Sequence, residues 1–176
     1  MLEKVLRTLG RTKVDRVVVV LGANAEDVRD RVRFGKEEVV VNRRYRAGMS
    51  GSIRLGLAEV EAETDAVIVV LGDQPFVSPV TIGALIDAYH SSKASVVVPV
   101  YHGRRGNPVL FDRKLFPQIK RVRGDIGAKS VVARNKDNVV EVDVDDEGIL
   151  ADIDTPSDYS RALAKKARVR RTREGA

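Results

Sequence analysis

Short apolar runs that end in Gly, Asn or Pro punctuate this chain, and longer stretches between them carry apolar residues every three or four positions. The first pattern predicts strands and the second helices. Leu2, Val5, Leu6 and Leu9 mark one face of a helix over Met1 to Leu9. Asp15 to Gly22 (DRVVVVLG) lacks alternation and is too short for a helix, which predicts a buried parallel strand. Glu26 to Phe34 reads as a short charged helix and Glu38 to Asn42 as a second strand. Beyond the loop Arg43 to Gly51, a helix capped by Ser50 or Ser52 is expected to run through Ile53, Leu55, Leu57 and Val60. Asp65 to Gly72 (DAVIVVLG) is the most hydrophobic strand and is expected at the centre of the sheet. Pro79 opens a helix at its favoured first turn, with Ile82, Leu85, Ile86 and Tyr89 on one face. Strands at Ala94 to Val100, Asn107 to Phe111 and Val139 to Val144 alternate with brief helices at Asp112 to Ile119 and Ile126 to Ala133, and Thr155 to Lys166 closes the chain as a helix. This alternation predicts an α/β fold with a mostly parallel sheet covered on both faces.

Composition narrows the chemistry. The 176 residues suit one domain, and 43% hydrophobic with 32% charged residues excludes a disordered chain. No cysteine is present, which removes disulfides, thiolate nucleophiles and Cys-ligated metals; with only His90 and His102, a His-rich metal site or a Ser-His triad is disfavoured. A hard cation held by carboxylates remains open. The net charge of +6 belongs to the end of the chain: seven basic residues and one acid fall in the last sixteen positions, which leaves 24 basic and 24 acidic residues over Met1 to Ser160. Residues 1–163 are therefore read as the domain and 164–176 as a basic tail. With aromatics at 5% and a neutral body, nucleic acid is not an expected partner. No secretory segment or spanning hydrophobic run is evident, so a cytoplasmic protein without membrane partners is expected.

In open α/β sheets ligands bind beyond the carboxyl ends of strands. Gly72 to Phe76 (GDQPF) puts Asp73 at the end of a hydrophobic strand, suited either to a divalent cation or to an ordinary turn. Arg43 to Leu57 places Gly48, Ser50, Gly51 and Ser52 at a helix start, where free N–H groups suit a base carbonyl or an anion, or simply a capped helix. Arg104 to Phe111 (RRGNPVLF) offers arginines beside a Gly-Asn-Pro turn, and Arg123 to Lys129 (RGDIGAK) adds an acid between glycines. Asp152 to Tyr159 (DIDTPSDY) reads as helix capping by Asp154 or Thr155, or as the source of a second carboxylate near Asp73.

Taken in order, GMSGSIRLGL, GDQPF, GRRGNPVLF, GDIGAK and DIDTPSDY resemble the MobA-like nucleotidyltransferases, in particular their molybdenum cofactor cytidylyltransferase branch. The resemblance spans Met1 to about Leu163 and implies a Rossmann-like domain of the nucleotide-diphospho-sugar transferase type. It implies transfer of a nucleoside monophosphate from an NTP, CTP being favoured, to a molybdopterin-type phosphate, with Mg²⁺ and release of pyrophosphate. By resemblance, Asp73 and Asp154 would be the catalytic metal ligands. Asn42, Gly48, Ser50, Ser52 and Gly72 would handle the nucleotide. Arg105, Gly106, Asn107 and Pro108, with Gly124, Asp125 and Gly127, would meet the acceptor. The family usually has His where Asn107 stands and Arg where Lys129 stands.

The family also opens with a strand and a loop of the form L-x-A-G-x-S-x-R-M-G-x-x-K, which wraps the triphosphate. Residues 1–176 contain no such segment, and Met1 to Leu9 resembles the helix that follows it. A gap in the sheet is therefore expected, and its exposed edges would favour self-association into a homo-oligomer. Three readings follow: a longer natural chain, which the intact later motifs favour; a non-catalytic nucleotide-binding relative; or cations supplied by the basic tail.

Overall fold

The computed structural model describes residues 1–124, 127–155 and 157–164. Helix α1 (Leu2–Leu9) precedes strand β1 (Val18–Leu21), α2 (Ala25–Arg31), β2 (Glu38–Val41), α3 (Met49–Val60) and β3 (Ala66–Val69). Next come α4 (Pro79–Ser91), β4 (Val96–Tyr101), β5 (Arg104–Arg105), β6 (Val109–Asp112), α5 (Phe116–Arg121), α6 (Lys129–Arg134) and β7 (Val139–Asp143). Residues 157–164 are helical, here α7. The basic tail, apart from Ala164, lies outside the described residues, as do Asp125, Ile126 and Pro156.

The α/β architecture is as the sequence predicts, while the pairing is more mixed. β1 and β2 pair in parallel as a sheet of their own. β3, β6, β4 and β5 pair antiparallel in that order, and β7 joins β4 in parallel. The mixture arises at residues 102–108, where a tight turn through His102 (φ 47°) and Gly103 (φ 73°) folds the chain back from β4 into β5 and on to β6. A reversal this short cannot make the crossover that a parallel neighbour requires. The expectation that β3 is central is also corrected: among the described residues it pairs with β6 alone and stands at the edge of its sheet, its four residues all half-buried.

Between the facing edges of β1 and β3 lies a cleft of about 690 Å³, lined by Val18, Val20, Val67, Val69 and residues of the covering helices. Two helices span it. On one face α1 sends Leu6 to Val19 and Leu21, and Val5 and Leu9 to Ile68 and Val70. On the other, Gly56 of α3 lies directly against Val20, while Leu57 packs with Val67, Val69 and Phe111. The main core sits under α3, α5 and α6 around Phe111, Ile119 and Val131, each no more than 1% exposed. Lys4 of α1 stands 3.6 Å over the Phe76 ring, which in turn packs against Tyr159 of α7 at 5.5 Å, so the first and last helices meet on one loop.

Helix α4 opens at Pro79 as the sequence predicts, and Ser78 caps it, its hydroxyl accepting from the Val80 amide at 3.2 Å. Asp146, on the loop after β7, completes this helix start. Its Oδ2 accepts from the Ser78 amide and the Thr81 hydroxyl, both at 2.7 Å, and its Oδ1 accepts from Gly148 at 3.0 Å. Thr81 is 2% exposed, so water cannot replace the lost partner. Asp146→Ala should lower the unfolding free energy by roughly 2–3 kcal/mol, measured by urea denaturation, because a charge-assisted network disappears and a buried hydroxyl is orphaned.

Candidate active site

The GDQPF loop leaves β3 and is held by its own turn, the Gln74 amide donating to the Leu71 carbonyl at 3.3 Å. A second segment, 147–154, lies against it. The Ile153 amide donates to the Asp73 carbonyl at 2.9 Å, and the Gln74 Nε2 donates to Asp152 Oδ1 at 2.8 Å. Ile153 is 3% exposed and enters the core, whereas Asp152 and Asp154 on either side of it are exposed. Alternation around a buried residue thus turns both carboxylates away from the core, and both lie near enough to act electrostatically on Asp73.

Burial raises the Asp73 pKa above the usual carboxylate range; its own backbone amide works in the opposite direction, and the negative charges of Asp152 and then Asp154 push it further up. Its Oδ1 is buried and has no hydrogen-bond partner among the described residues. A carboxylate oxygen so placed, beside two further carboxylates, fits a divalent cation. Among the described residues no group of three or more His, Cys, Asp or Glu is placed to hold a metal ion, so the available donor set is Asp73 with at most one further carboxylate. That donor set matches Mg²⁺ chemistry, in which one or two carboxylates bind and substrate oxygens and water supply the rest.

Asp154 is free for such a role because Thr155 does the capping. The Thr155 hydroxyl accepts from the Asp158 amide at 3.1 Å, and Asp158 Oδ2 accepts from the Thr155 amide at 2.9 Å, a reciprocal capping box. The hydrogen bond from the Thr155 hydroxyl, followed by the Arg161 partner, holds the Asp158 pKa low.

The loop expected to meet the nucleotide lies at the start of α3, and its capping differs from expectation. Gly48, not Ser50 or Ser52, occupies the cap position, with φ of 100°, a backbone conformation that favours glycine. Ser50 and Ser52 lie inside the first turn. Asn42 is 7% exposed and its amide is occupied, Nδ2 donating to Ser52 Oγ at 3.1 Å and Oδ1 accepting from the Arg44 amide at 3.0 Å. Asn42 and Ser52 therefore shape the loop, and the helix entry offers backbone N–H groups without a side-chain cap. A Cβ at Gly72 would meet open space.

The residues expected to meet the acceptor divide. Arg105 is ion-paired with Glu141 of β7. Gly106 and Asn107 dock against the 147–150 turn: the Asn107 amide donates to the Ile149 carbonyl at 3.0 Å, the Gly106 amide donates to Pro99, and the Asn107–Pro108 peptide is cis. A Cβ at Gly106 would fall well inside contact distance of the Ile149 carbonyl and side chain. Gly124 and Gly127 both take positive φ, and Asp125 between them lies outside the described residues. Gly127 and Ser50 line one small crevice, which brings together the loops expected to meet the nucleotide and the acceptor.

Two residues escape a sequence-only reading. Asp152 is hidden beside a capping motif, although its spacing from Asp154 across an isoleucine is the signal that both share a face. Gln74 is 3% exposed, and only the structure shows which carboxylate it holds.

This α/β fold, with helices on both faces and a carboxylate-bearing turn after a strand, is the fold of the nucleotide-diphospho-sugar transferase type. The chain belongs to the MobA-like NTP transferase family, whose domain matches residues 1–139. Nicotine blue oxidoreductase of Paenarthrobacter nicotinovorans is 34% identical to it over 84% of this chain and 74% of its own length. The purine catabolism protein PucB of Bacillus subtilis (strain 168) is 30% identical over 64% of this chain, which spans 54% of that protein. Rv0371c of Mycobacterium tuberculosis H37Rv, solved in complex with manganese, superposes with a TM-score of 0.79 at 30% identity, covering 93% of this chain and 85% of the other. Among the described residues no helix is long and apolar enough to cross a membrane.

Two outcomes are expected. Asp73 binds its proton more readily folded than unfolded, so its charge opposes folding above that raised pKa and ceases to do so as pH falls through it. Metal-free Asp73→Asn should therefore melt above the wild type at neutral pH, with the difference closing on acidification, as read by thermal denaturation across pH. Gly106→Ala should be destabilising by roughly 1–3 kcal/mol in equilibrium unfolding, because the added methyl overpacks the Ile149 turn.

Proposed function

We propose that this chain is a Mg²⁺-dependent cytidylyltransferase acting in the cytoplasm, which moves CMP from CTP to a molybdopterin-type phosphate. An acceptor phosphate oxygen attacks the α-phosphorus in line, its bond to the bridging oxygen breaks, and pyrophosphate leaves. The observation that carries this reading is the buried, unpartnered Asp73 Oδ1 beside Asp152 and Asp154 at the end of β3. Family membership and the manganese complex of the relative support it.

Asp73 and Asp154 would hold the cation, which when bound neutralises charge developing on the leaving pyrophosphate. The chain's own residues bind and orient. The α3 entry at Gly48 presents backbone donors to the nucleotide, and Asn42 and Ser52 keep that loop in shape. The Gly106–Asn107 turn and Gly127 border the acceptor side. No protein nucleophile is required, since an acceptor phosphate is ionised near neutral pH.

Pyrophosphate release from CTP, GTP and ATP, with Mg²⁺ and a molybdopterin acceptor, tests this directly. CTP should be preferred, and Asp73→Asn should reduce the rate by roughly 100-fold or more. Full activity in Asp73→Asn refutes the assignment. The second reading is a nucleotide-binding protein without turnover, since the α3 entry presents backbone donors to a nucleotide whether or not chemistry follows. Saturable CTP binding by calorimetry with no pyrophosphate released would establish it.

A further inference from the structure

Gln74 is a polar side chain in an apolar setting, with Pro75, Phe76 and Val77 buried beside it. The two groups nearest its amide nitrogen are acceptors, the Asp152 carboxylate at 2.8 Å and the Ile149 carbonyl at 3.4 Å. The hydrogen-bonding pattern therefore dictates the amide orientation, nitrogen toward both. Its Oε1 is then buried with no partner. A buried acceptor left unmet disfavours the folded state by roughly 1–3 kcal/mol. Methionine would fill the same volume without that penalty. The bond to the charged Asp152 offsets a penalty of similar size, so stability alone gives little net reason for an amide here.

What the amide supplies is a grip on Asp152. That carboxylate is exposed and lies beside two others, and like charges in one place repel; without a tether its side chain would swing toward water. The backbone bond from Ile153 to Asp73 sets the segment's position, but leaves the Asp152 side chain its rotamer freedom. The Gln74 bond removes it.

We propose that Gln74 is a positioning residue of the metal site, holding Asp152 close to Asp73 and Asp154 so that its negative charge, without itself ligating the ion, strengthens divalent cation binding. The inference rests on the metal-site reading given above. Partners that orient groups around a metal typically alter its affinity by 10–100-fold when removed.

Calorimetric titration of the full chain with Mn²⁺ alone, paired with metal-free melting, tests it. Gln74→Met should bind Mn²⁺ roughly 10-fold more weakly, with a melting temperature equal to the wild type or higher. Asp152→Ala, at an exposed position that leaves the core untouched, should show a similar loss, and adding Gln74→Met to it should cost nothing further. Wild-type affinity in either single variant overturns the proposal, as does an undiminished Gln74→Met effect in the Asp152→Ala background. Asp73→Asn separates the two levels. If it abolishes binding while Gln74→Met does not weaken it, the metal site stands and the positioning role falls. If the wild type does not bind Mn²⁺, or Asp73→Asn binds it equally well, the metal site falls and the proposal with it.

Discussion

The hydrogen bond from the Ile153 amide to the Asp73 carbonyl joins parts of the chain eighty residues apart, and the site depends on it. Asp73 leaves β3 on a turn that has no strand beside it on one side. The segment that ends at Asp154 supplies the missing support, anchored by Ile153 in the core and by Gly148 and Ile149 against the GDQPF and GNP loops. One turn therefore organises three loops: the Ile149 carbonyl receives donors from both Asn107 and Gln74, and Asp146 ties the same turn to the start of α4. Carboxylates that repel one another are held together by backbone and amide donors that have few alternatives once buried.

The second constraint is mechanical. The two sheets do not share a hydrogen-bonded ladder, so their relative placement rests on side-chain packing by α1 and α3. Packing of this kind is strong in sum but weak in direction, since dispersion and hydrophobic burial do not specify register as backbone pairing does. The contact of Lys4 with Phe76 and Tyr159 adds a directional tie at one end of α1.

Most elements were readable from the sequence because they are built from local regularities. Val18 to Leu21 and Ala66 to Val69 announce strands through β-branched runs, and Pro79 announces a helix start. Strand direction was not readable: whether β6 runs with or against β4 is decided by backbone dihedrals at His102 and Gly103. Nor was the edge position of β3, because hydrophobicity reports that a strand is covered, not which strands lie beside it. At the site, Asp73 stood out by its place after an apolar run. Asp152 did not, since a carboxylate beside a helix cap looks like ordinary capping chemistry until Thr155 is seen to do that work. Asn42 was readable as a polar residue at a strand end, and the structure adds what the sequence could not show, that Ser52 and Arg44 hold its side chain.

The cleft between β1 and β3 has a thermodynamic consequence. Backbone N–H and C=O groups along its two walls lack the ladder partners that inner strands have, and valines flank them. Every β3 residue is half-buried, so the occupant of the cleft, solvent or polypeptide, sets how much of the most apolar run in the chain is in contact with water. The share of that run in the heat capacity of unfolding therefore varies with the occupant, and its composition alone does not fix it.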